Sequence, residues 1–239
     1  MLSKSGVLAL MFWAGHIFAA PQAAIMPVPE LSSVNPEKAA LGKKLFETKK
    51  LSSTGEKSCQ SCHQPKYGYS QKHLIGLDTP SLLNVSLNHK FFWNGRSRRL
   101  SDALREHVLD SNMFGQSHEG LLKSIEESDL KAEFSSIYSD GATLENIVDA
   151  YAEFLNTLTV KNSSFDRFLK GDANAISADQ KKGYALFKSH GCIRCHQGVN
   201  VGGNLVVRLG IYKNFFANPQ TYDMGLYSFT QKPDDKYVF

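Results

Sequence analysis

All four cysteines of the chain lie in two short motifs, and each motif ends in histidine. The first motif is Cys59-Gln60-Ser61-Cys62-His63, and the second is Cys192-Ile193-Arg194-Cys195-His196. Two thiols one helical turn apart can bond to the two vinyl-derived carbons of one haem, and the adjacent histidine can bind its iron. The spacing therefore predicts two covalent c-type haems, attached through Cys59, Cys62, Cys192 and Cys195, with His63 and His196 as proximal iron ligands.

Two other kinds of site use paired cysteines, and neither fits this chain. A four-cysteine zinc site brings its pairs within roughly twenty residues, whereas these pairs lie far apart in the sequence. A redox dithiol is expected in a βαβ context, which the chain does not offer. Haem attachment is the prediction that remains.

The chemistry of each haem depends on the sixth ligand of its iron, because an open position binds small molecules and a filled one does not. For the first haem the candidate is His73, which follows the motif in a polar loop; a solvated histidine is the alternative. For the second haem Met224 is the only methionine after the motif, and packing or exposure is favoured over ligation there.

Composition and the N-terminus indicate an exported globular protein. The 239 residues are 42% hydrophobic and 21% charged, with a formal charge of +4, and the basic residues are scattered, so nucleic-acid binding is not indicated. Residues 1–24 begin with a positively charged residue, continue with a short apolar run and end in small residues, which is the layout of a cleaved signal peptide. No other stretch is long and apolar enough to span a membrane. Since bacteria attach c-type haems outside the cytoplasm, we expect the periplasm.

Helix signals precede both motifs. Asn35 before Pro36 caps one helix, and Ser177 with Gln180 three residues later forms a capping box for another. Both helices contain Gly-x-x-Leu-Phe, a weak internal repeat, and Thr143 caps an amphipathic helix between them. Shorter helices are predicted over 100–109 and 121–127, few strands are expected, and residues 199–239 favour irregular loops. The expected fold class is mainly α.

The chain resembles the bacterial di-haem cytochrome c peroxidase family, which includes the methylamine-utilisation enzyme MauG. Besides both haem motifs, the resemblance rests on Asp78-Thr79-Pro80-Ser81-Leu82-Leu83-Asn84, Phe91-Phe92-Trp93-Asn94-Gly95-Arg96 and Phe165-Asp166-Arg167-Phe168-Leu169-Lys170-Gly171-Asp172. It implies two cytochrome c-like helical domains, each around one haem, at 25–165 and 166–239. The family continues past Phe239 into a segment that carries the sixth ligand of the second haem, so we expect the second domain to be incomplete.

The resemblance also implies an activity. The first haem would be peroxidatic and reduce hydrogen peroxide, while the second would relay electrons from a small c-type cytochrome or cupredoxin. Trp93 would lie between the haems, with an ordinary core tryptophan as the alternative. Asp78 would bind a calcium ion at the domain interface, His73 would be a withdrawable distal ligand, and the protein would form a homodimer, as family members often do.

Two positions depart from the family pattern. Ala103 and Met113 stand where the family has a distal glutamine and glutamate, and neither can transfer a proton. Glu106 and His107 lie between them and are the candidate acid-base substitutes; a solvated Glu106 and a structural His107 are the alternatives. Three functions therefore remain open: an exported peroxidase, a MauG-like oxidant of a partner protein, and a non-enzymatic electron-transfer cytochrome.

Overall fold

The computed structural model describes residues 23–31, 33–71, 79–111, 114–213 and 224–239. The α-helices in these ranges are α1 Pro36–Glu47, α2 Cys59–Cys62, α3 Leu100–Leu109, α4 His118–Glu126, α5 Leu130–Ile137, α6 Leu144–Thr157, α7 Ser164–Leu169, α8 Ala178–Ser189 and α9 Tyr227–Thr230. Over the same ranges, β pairing is limited to isolated bridges. The prediction of a mainly α fold is confirmed. Among these helices, none has the length and apolar character that a bilayer crossing requires.

The close packing of α1 against α6 forms the centre of the molecule. The Asn35 side chain accepts hydrogen bonds from the first free backbone N–H groups of α1, and Thr143 does the same for α6. Gly42 lies where the two helices touch: a Cβ there would overlap the Ala150 carbonyl oxygen and lie 2.9 Å from the Phe154 Cβ. Glycine at position 42 is therefore what lets the two helix backbones approach this closely.

Three further helices complete this core. Helix α3 packs on α6, α5 packs on α1, and α4 packs on α5. Each buries an apolar face, and the buried side chains are Ala103 and Val108 of α3, Leu121 and Ile125 of α4, and Leu130 and Phe134 of α5. Helix α3 has the predicted bounds, whereas α4 begins at His118, three residues before the predicted start, because Ser117 caps it. Helices α5 and α7 were not predicted.

The chain beyond α6 contributes little to the buried core. Helix α8 has the predicted Ser177–Gln180 capping box, yet none of its residues is buried. In α7 the buried residue is Asp166, a polar one. This half of the described chain is therefore arranged around surface contacts instead of an apolar interior of its own.

Hydrogen bonds tie this half to the rest of the molecule. The Asp166 carboxylate accepts from the Val28 backbone N–H at 2.8 Å and from Ser163. Burial raises the pKa of Asp166, but these hydrogen bonds outweigh it and hold the pKa below its usual value. The Asn200 side-chain amide donates to the Asn84 carbonyl at 3.1 Å.

Candidate haem sites

The first motif forms a single helical turn. The Ser61 hydroxyl accepts from the Ser58 backbone N–H at 3.0 Å at the start of α2, and the His63 backbone N–H donates to the Cys59 carbonyl at 2.8 Å. Cys59, Cys62 and His63 are all half-buried. The turn therefore presents two thiols and an imidazole at one place, as attachment of a haem requires.

No cysteine of either motif is in a disulfide, and the first pair is not activated. Burial raises the pKa of Cys59 to about 12, opposed in part by a hydrogen bond with Tyr151, and burial also raises the pKa of Cys62. Reactive dithiols and zinc-binding thiolates instead have lowered pKa values. The environment of this pair thus argues against the two rival kinds of site.

A carbonyl group fixes the orientation of His63. Its Nδ1 lies 3.0 Å from the Tyr69 carbonyl oxygen, which can only accept, so Nδ1 carries the proton and Nε2 carries the lone pair of the neutral ring. Tyr69 has φ 58, an unusual conformation for a bulky residue, and this turns its carbonyl back towards the motif. Burial lowers the pKa of His63, although the Tyr69 and Pro80 carbonyls partly offset this, so the imidazole is neutral, as iron binding requires.

His107, in the last turn of α3, lies beside His63. The two ring centroids are 6.5 Å apart with 61° between the ring planes, and the Phe92 ring lies 6.4 Å from His107 on another side. Burial, together with the neighbouring His63, lowers the pKa of His107 to about 4. The first site therefore holds two neutral imidazoles.

The other candidate acid-base residue is held elsewhere. The Glu106 carboxylate accepts from Arg96 Nε at 2.6 Å and is partly exposed. The Arg96 guanidinium in turn lies 3.5 Å from the centroid of the Phe92 ring. Ala103 is buried in the core of α3. Of the two predicted substitutes, His107 is the one in ring contact with His63.

Three predicted positions, His73, Asp78 and Met113, lie outside the described residues. Over the described ranges, no group of three or more His, Cys, Asp or Glu side chains is arranged to hold a metal ion. The distal role of His73 and the calcium site at Asp78 stay predictions.

Trp93 lies on a tight loop closed by a bridge between Phe91 and Ser97. Its side chain is 62% exposed, so core packing does not account for a tryptophan there. Its ring meets that of Phe239 edge-on at 5.8 Å. The loop thus holds a large aromatic ring at the surface, against Phe239.

The second motif is much more open than the first. Cys192–Arg194 form a 3₁₀ turn, and the His196 backbone N–H donates to the Cys192 carbonyl at 2.9 Å. Cys192, Cys195 and His196 are exposed, and Phe187 of α8 lies 6.1 Å from the His196 ring. The same three residue types thus stand together as in the first motif, and they fit a second haem.

Apolar side chains on α8 and in the segment after the second motif are exposed as well. Leu186 is 47% exposed, and apolar residues at 205–211 show similar fractions. Gly183 occupies the place in α8 that Gly42 has in α1, but a Cβ there would have no described atom within 4 Å. A large apolar group such as haem would cover part of this surface.

Two cysteine pairs, each followed by histidine, on a helical fold with a pre-oriented His63 define a di-haem c-type cytochrome. A family model described as di-haem cytochrome c peroxidase matches residues 36–174. The chain belongs to this family, a family of peroxidase-type oxidoreductases, and the resemblance predicted from the sequence is confirmed.

The chain is similar to several curated members of the family. Cytochrome c peroxidase Ccp of Escherichia coli is 35% identical over 89% of this chain and 48% of its own length. Cytochrome c551 peroxidase of Nitrosomonas europaea is 32% identical over 97% of this chain and 72% of its own length. Methylamine utilization protein MauG of Methylorubrum extorquens is 32% identical over 72% of this chain and 52% of its own length. The chain thus spans about half the length of the E. coli protein.

Solved structures agree on the fold. A MauG-like protein associated with microbial copper homeostasis superposes with a TM-score of 0.68 at 21% identity, over 93% of this chain and 73% of that one. The diheme peroxidase BthA from Burkholderia thailandensis superposes with a TM-score of 0.65 at 18% identity, over 90% of this chain and 67% of that one. At these identities the likeness shows the shared architecture alone.

Proposed function

We propose that the protein is a periplasmic di-haem cytochrome c peroxidase, in which the second haem relays electrons to the first. Each hydrogen peroxide would take two electrons and two protons and leave as two waters. The observation that carries the proposal is the neutral imidazole of His107 beside His63 at the more enclosed motif. The names of the curated relatives from E. coli and N. europaea support the same activity.

Three residues of the first site would have separate roles in the reaction. The haem would supply the iron that binds peroxide and passes on electrons. His63 would hold that iron through Nε2 while the Tyr69 carbonyl keeps its ring in place. His107 would accept the proton from one peroxide oxygen and return it to the departing one, a role that typically contributes 10²–10⁴-fold to rate. Phe92 would limit water beside His107.

Electrons would enter through the second motif. Cys192, Cys195 and His196 are exposed, so a small c-type cytochrome or cupredoxin could approach the haem there closely. Trp93, whose ring is exposed on the loop after the first motif, is the side chain we propose between the two haems. A calcium ion at Asp78 and a homodimer belong to the same proposal.

Steady-state peroxide consumption tests the activity. The full-length protein, loaded with both haems and pre-reduced by one electron, is mixed with a reduced small c-type cytochrome and hydrogen peroxide. We expect turnover that falls at least about 100-fold in His107→Ala. His118→Ala, which removes an exposed histidine at the start of α4, is the matched control and should keep full activity. Absence of turnover in the loaded, pre-reduced wild type would refute the proposal.

Export has its own test. Cell fractionation should recover the haem protein from the periplasm, and N-terminal sequencing should find cleavage between about residues 19 and 24. The Ala24 carbonyl accepts a hydrogen bond from the Gly198 backbone N–H, which favours a cut that leaves residue 24 on the mature protein. An uncleaved protein in the cytoplasm would contradict this part of the proposal.

A second candidate function is electron transfer without peroxide turnover. It is favoured by Ala103, which is buried and cannot transfer a proton, and by the short distance between His63 and His107. Titration of both the oxidised and the half-reduced protein with cyanide and with peroxide separates the two functions. Spectra that do not respond to cyanide or peroxide in any redox state would support the electron-transfer cytochrome and count against the peroxidase.

A further inference from the structure

The distance between the two imidazoles of the first site matches a specific bonding arrangement. Two histidines that bind one metal from opposite sides have metal–nitrogen bonds of about 2.0 Å. With ring bonds of about 1.33 Å, each nitrogen lies about 1.1 Å from its ring centroid, so the two centroids are about 6.2 Å apart. The centroids of His63 and His107 are 6.5 Å apart.

An edge-on contact between two aromatic rings has a similar spacing, so the distance needs independent support. Part of it comes from hydrogen bonding. The Nδ1 atom of His63 donates to the Tyr69 carbonyl, so Nε2 carries the lone pair that can bind iron. Among the described residues, the His107 ring contacts the rings of His63 and Phe92, and neither of its nitrogens makes a hydrogen bond. A partly buried imidazole without such a partner retains a lone pair for a metal.

The position of His107 in the fold gives the second support. Its neighbour Val108 is 3% exposed and Ala103, one turn earlier, is 8% exposed, so the core holds α3 in place on both sides of the histidine. The Phe92 ring, itself under the Arg96 guanidinium, lies against His107 as well. His107 therefore approaches His63 from a rigid element.

We propose that His107 is the sixth ligand of the first haem iron, opposite His63, in the resting protein. The inference rests on haem attachment at Cys59 and Cys62 and deepens the proposed function, because it makes peroxide access conditional. Peroxide can bind only after His107 leaves the iron, and the released imidazole is then the acid-base group beside it. This assigns to a core helix the role that the family resemblance gives to His73.

Spectroscopy of the oxidised, haem-loaded protein tests the ligand directly. Mass spectrometry first confirms two haems in each variant. Electron paramagnetic resonance and near-infrared magnetic circular dichroism then identify the axial ligand pair of each iron. In wild type we expect a low-spin iron with two nitrogen ligands at the first site. His107→Ala should convert that signal to high spin, whereas His73→Ala and His118→Ala should leave it unchanged.

A ligand exchange keeps the test decisive even if His107→Ala does not fold. His107→Met retains a side chain that can bind iron, and it should replace the two-nitrogen signature by a histidine–methionine one and raise the potential of that haem. A His107→Met spectrum identical to wild type would overturn the inference, as would loss of the signal in His73→Ala alone. These spectra do not depend on turnover: an active enzyme with unchanged spectra refutes only the ligand assignment. A ligand exchange in an inactive protein refutes only the peroxidase.

Discussion

Replacing Gly42 by alanine should disrupt the packing of α1 on α6. The added Cβ would overlap the Ala150 carbonyl oxygen and lie 2.6 Å from the Ala150 carbonyl carbon. Both atoms belong to the backbone of α6, so no side-chain rotation relieves the overlap and the helices must separate. Separation would open the interface that buries Leu45 and Phe154.

The magnitude follows from two opposing effects. Inserting a methyl group into a packed core costs about 1–3 kcal/mol, and a rigid backbone neighbour favours the upper end. Replacing glycine by alanine inside a helix stabilises the helix by about 1 kcal/mol, because alanine has the higher helix propensity. We therefore expect Gly42→Ala to lose about 2 kcal/mol of unfolding free energy. Gly183→Ala should gain up to about 1 kcal/mol, because the same residue in α8 meets no described atom within 4 Å.

Urea denaturation of the haem-loaded protein, followed by far-ultraviolet circular dichroism, measures both changes. With a slope of about 2 kcal/mol per molar urea, the loss in Gly42→Ala lowers the midpoint by about 1 M. The Gly183→Ala variant is the matched control, since it makes the same chemical change in the same motif. Equal midpoints for the two variants, or a larger loss in Gly183→Ala, would refute the packing argument.

Three further substitutions test other contacts. Asp166→Asn removes a carboxylate oxygen that accepts hydrogen bonds and should cost about 2–3 kcal/mol at pH 7, measured by urea denaturation. The folded-state pKa of Asp166 is lowered, so its carboxylate stabilises the folded protein fully above the unfolded-state pKa of about 3.9. This stabilisation is lost as the pH falls through the folded-state pKa. Over that pH range the unfolding free energy of the Asp166→Asn variant should therefore depend less on pH than that of the wild type. Glu106→Gln should change the unfolding free energy by at most about 1 kcal/mol, because the ion pair between Glu106 and Arg96 is partly exposed. A larger change in the same denaturation assay would contradict this. Tyr151→Phe should cost about 1–2 kcal/mol in the same denaturation assay, since its buried hydroxyl donates to the Leu45 carbonyl; an unchanged midpoint would count against that hydrogen bond.

Helix starts could be predicted from the sequence because their determinants are local. Asn35, Thr143 and Ser177 each bond to backbone N–H groups only two or three residues ahead, and all three were predicted as caps. The haem motifs are local in the same sense, since one helical turn contains both thiols and the histidine. The start of α4 was missed because Ser117 follows residues with no apolar periodicity.

The surroundings of the motifs could not be predicted in this way. The contact between His63 and His107 joins a short turn to a distant helix, and the Tyr69 carbonyl reaches His63 only through a positive φ at a tyrosine. The repeated Gly-x-x-Leu-Phe shows the limit most clearly. Gly42 and Gly183 have the same local sequence, but only Gly42 touches another helix among the described residues, and what covers a helix is decided by the rest of the fold.

The two motifs consequently give their haems different environments, and the difference suits different tasks. At the first, the described residues supply an oriented His63, a second imidazole and a rigid apolar wall, which control what reaches the iron. At the second, they supply attachment and the exposed His196, with little to exclude water. An enclosed site can keep a reactive iron from side reactions, whereas an open one lets a partner approach the haem edge closely. This difference supports the proposal that peroxide reacts at the first haem and that electrons enter at the second.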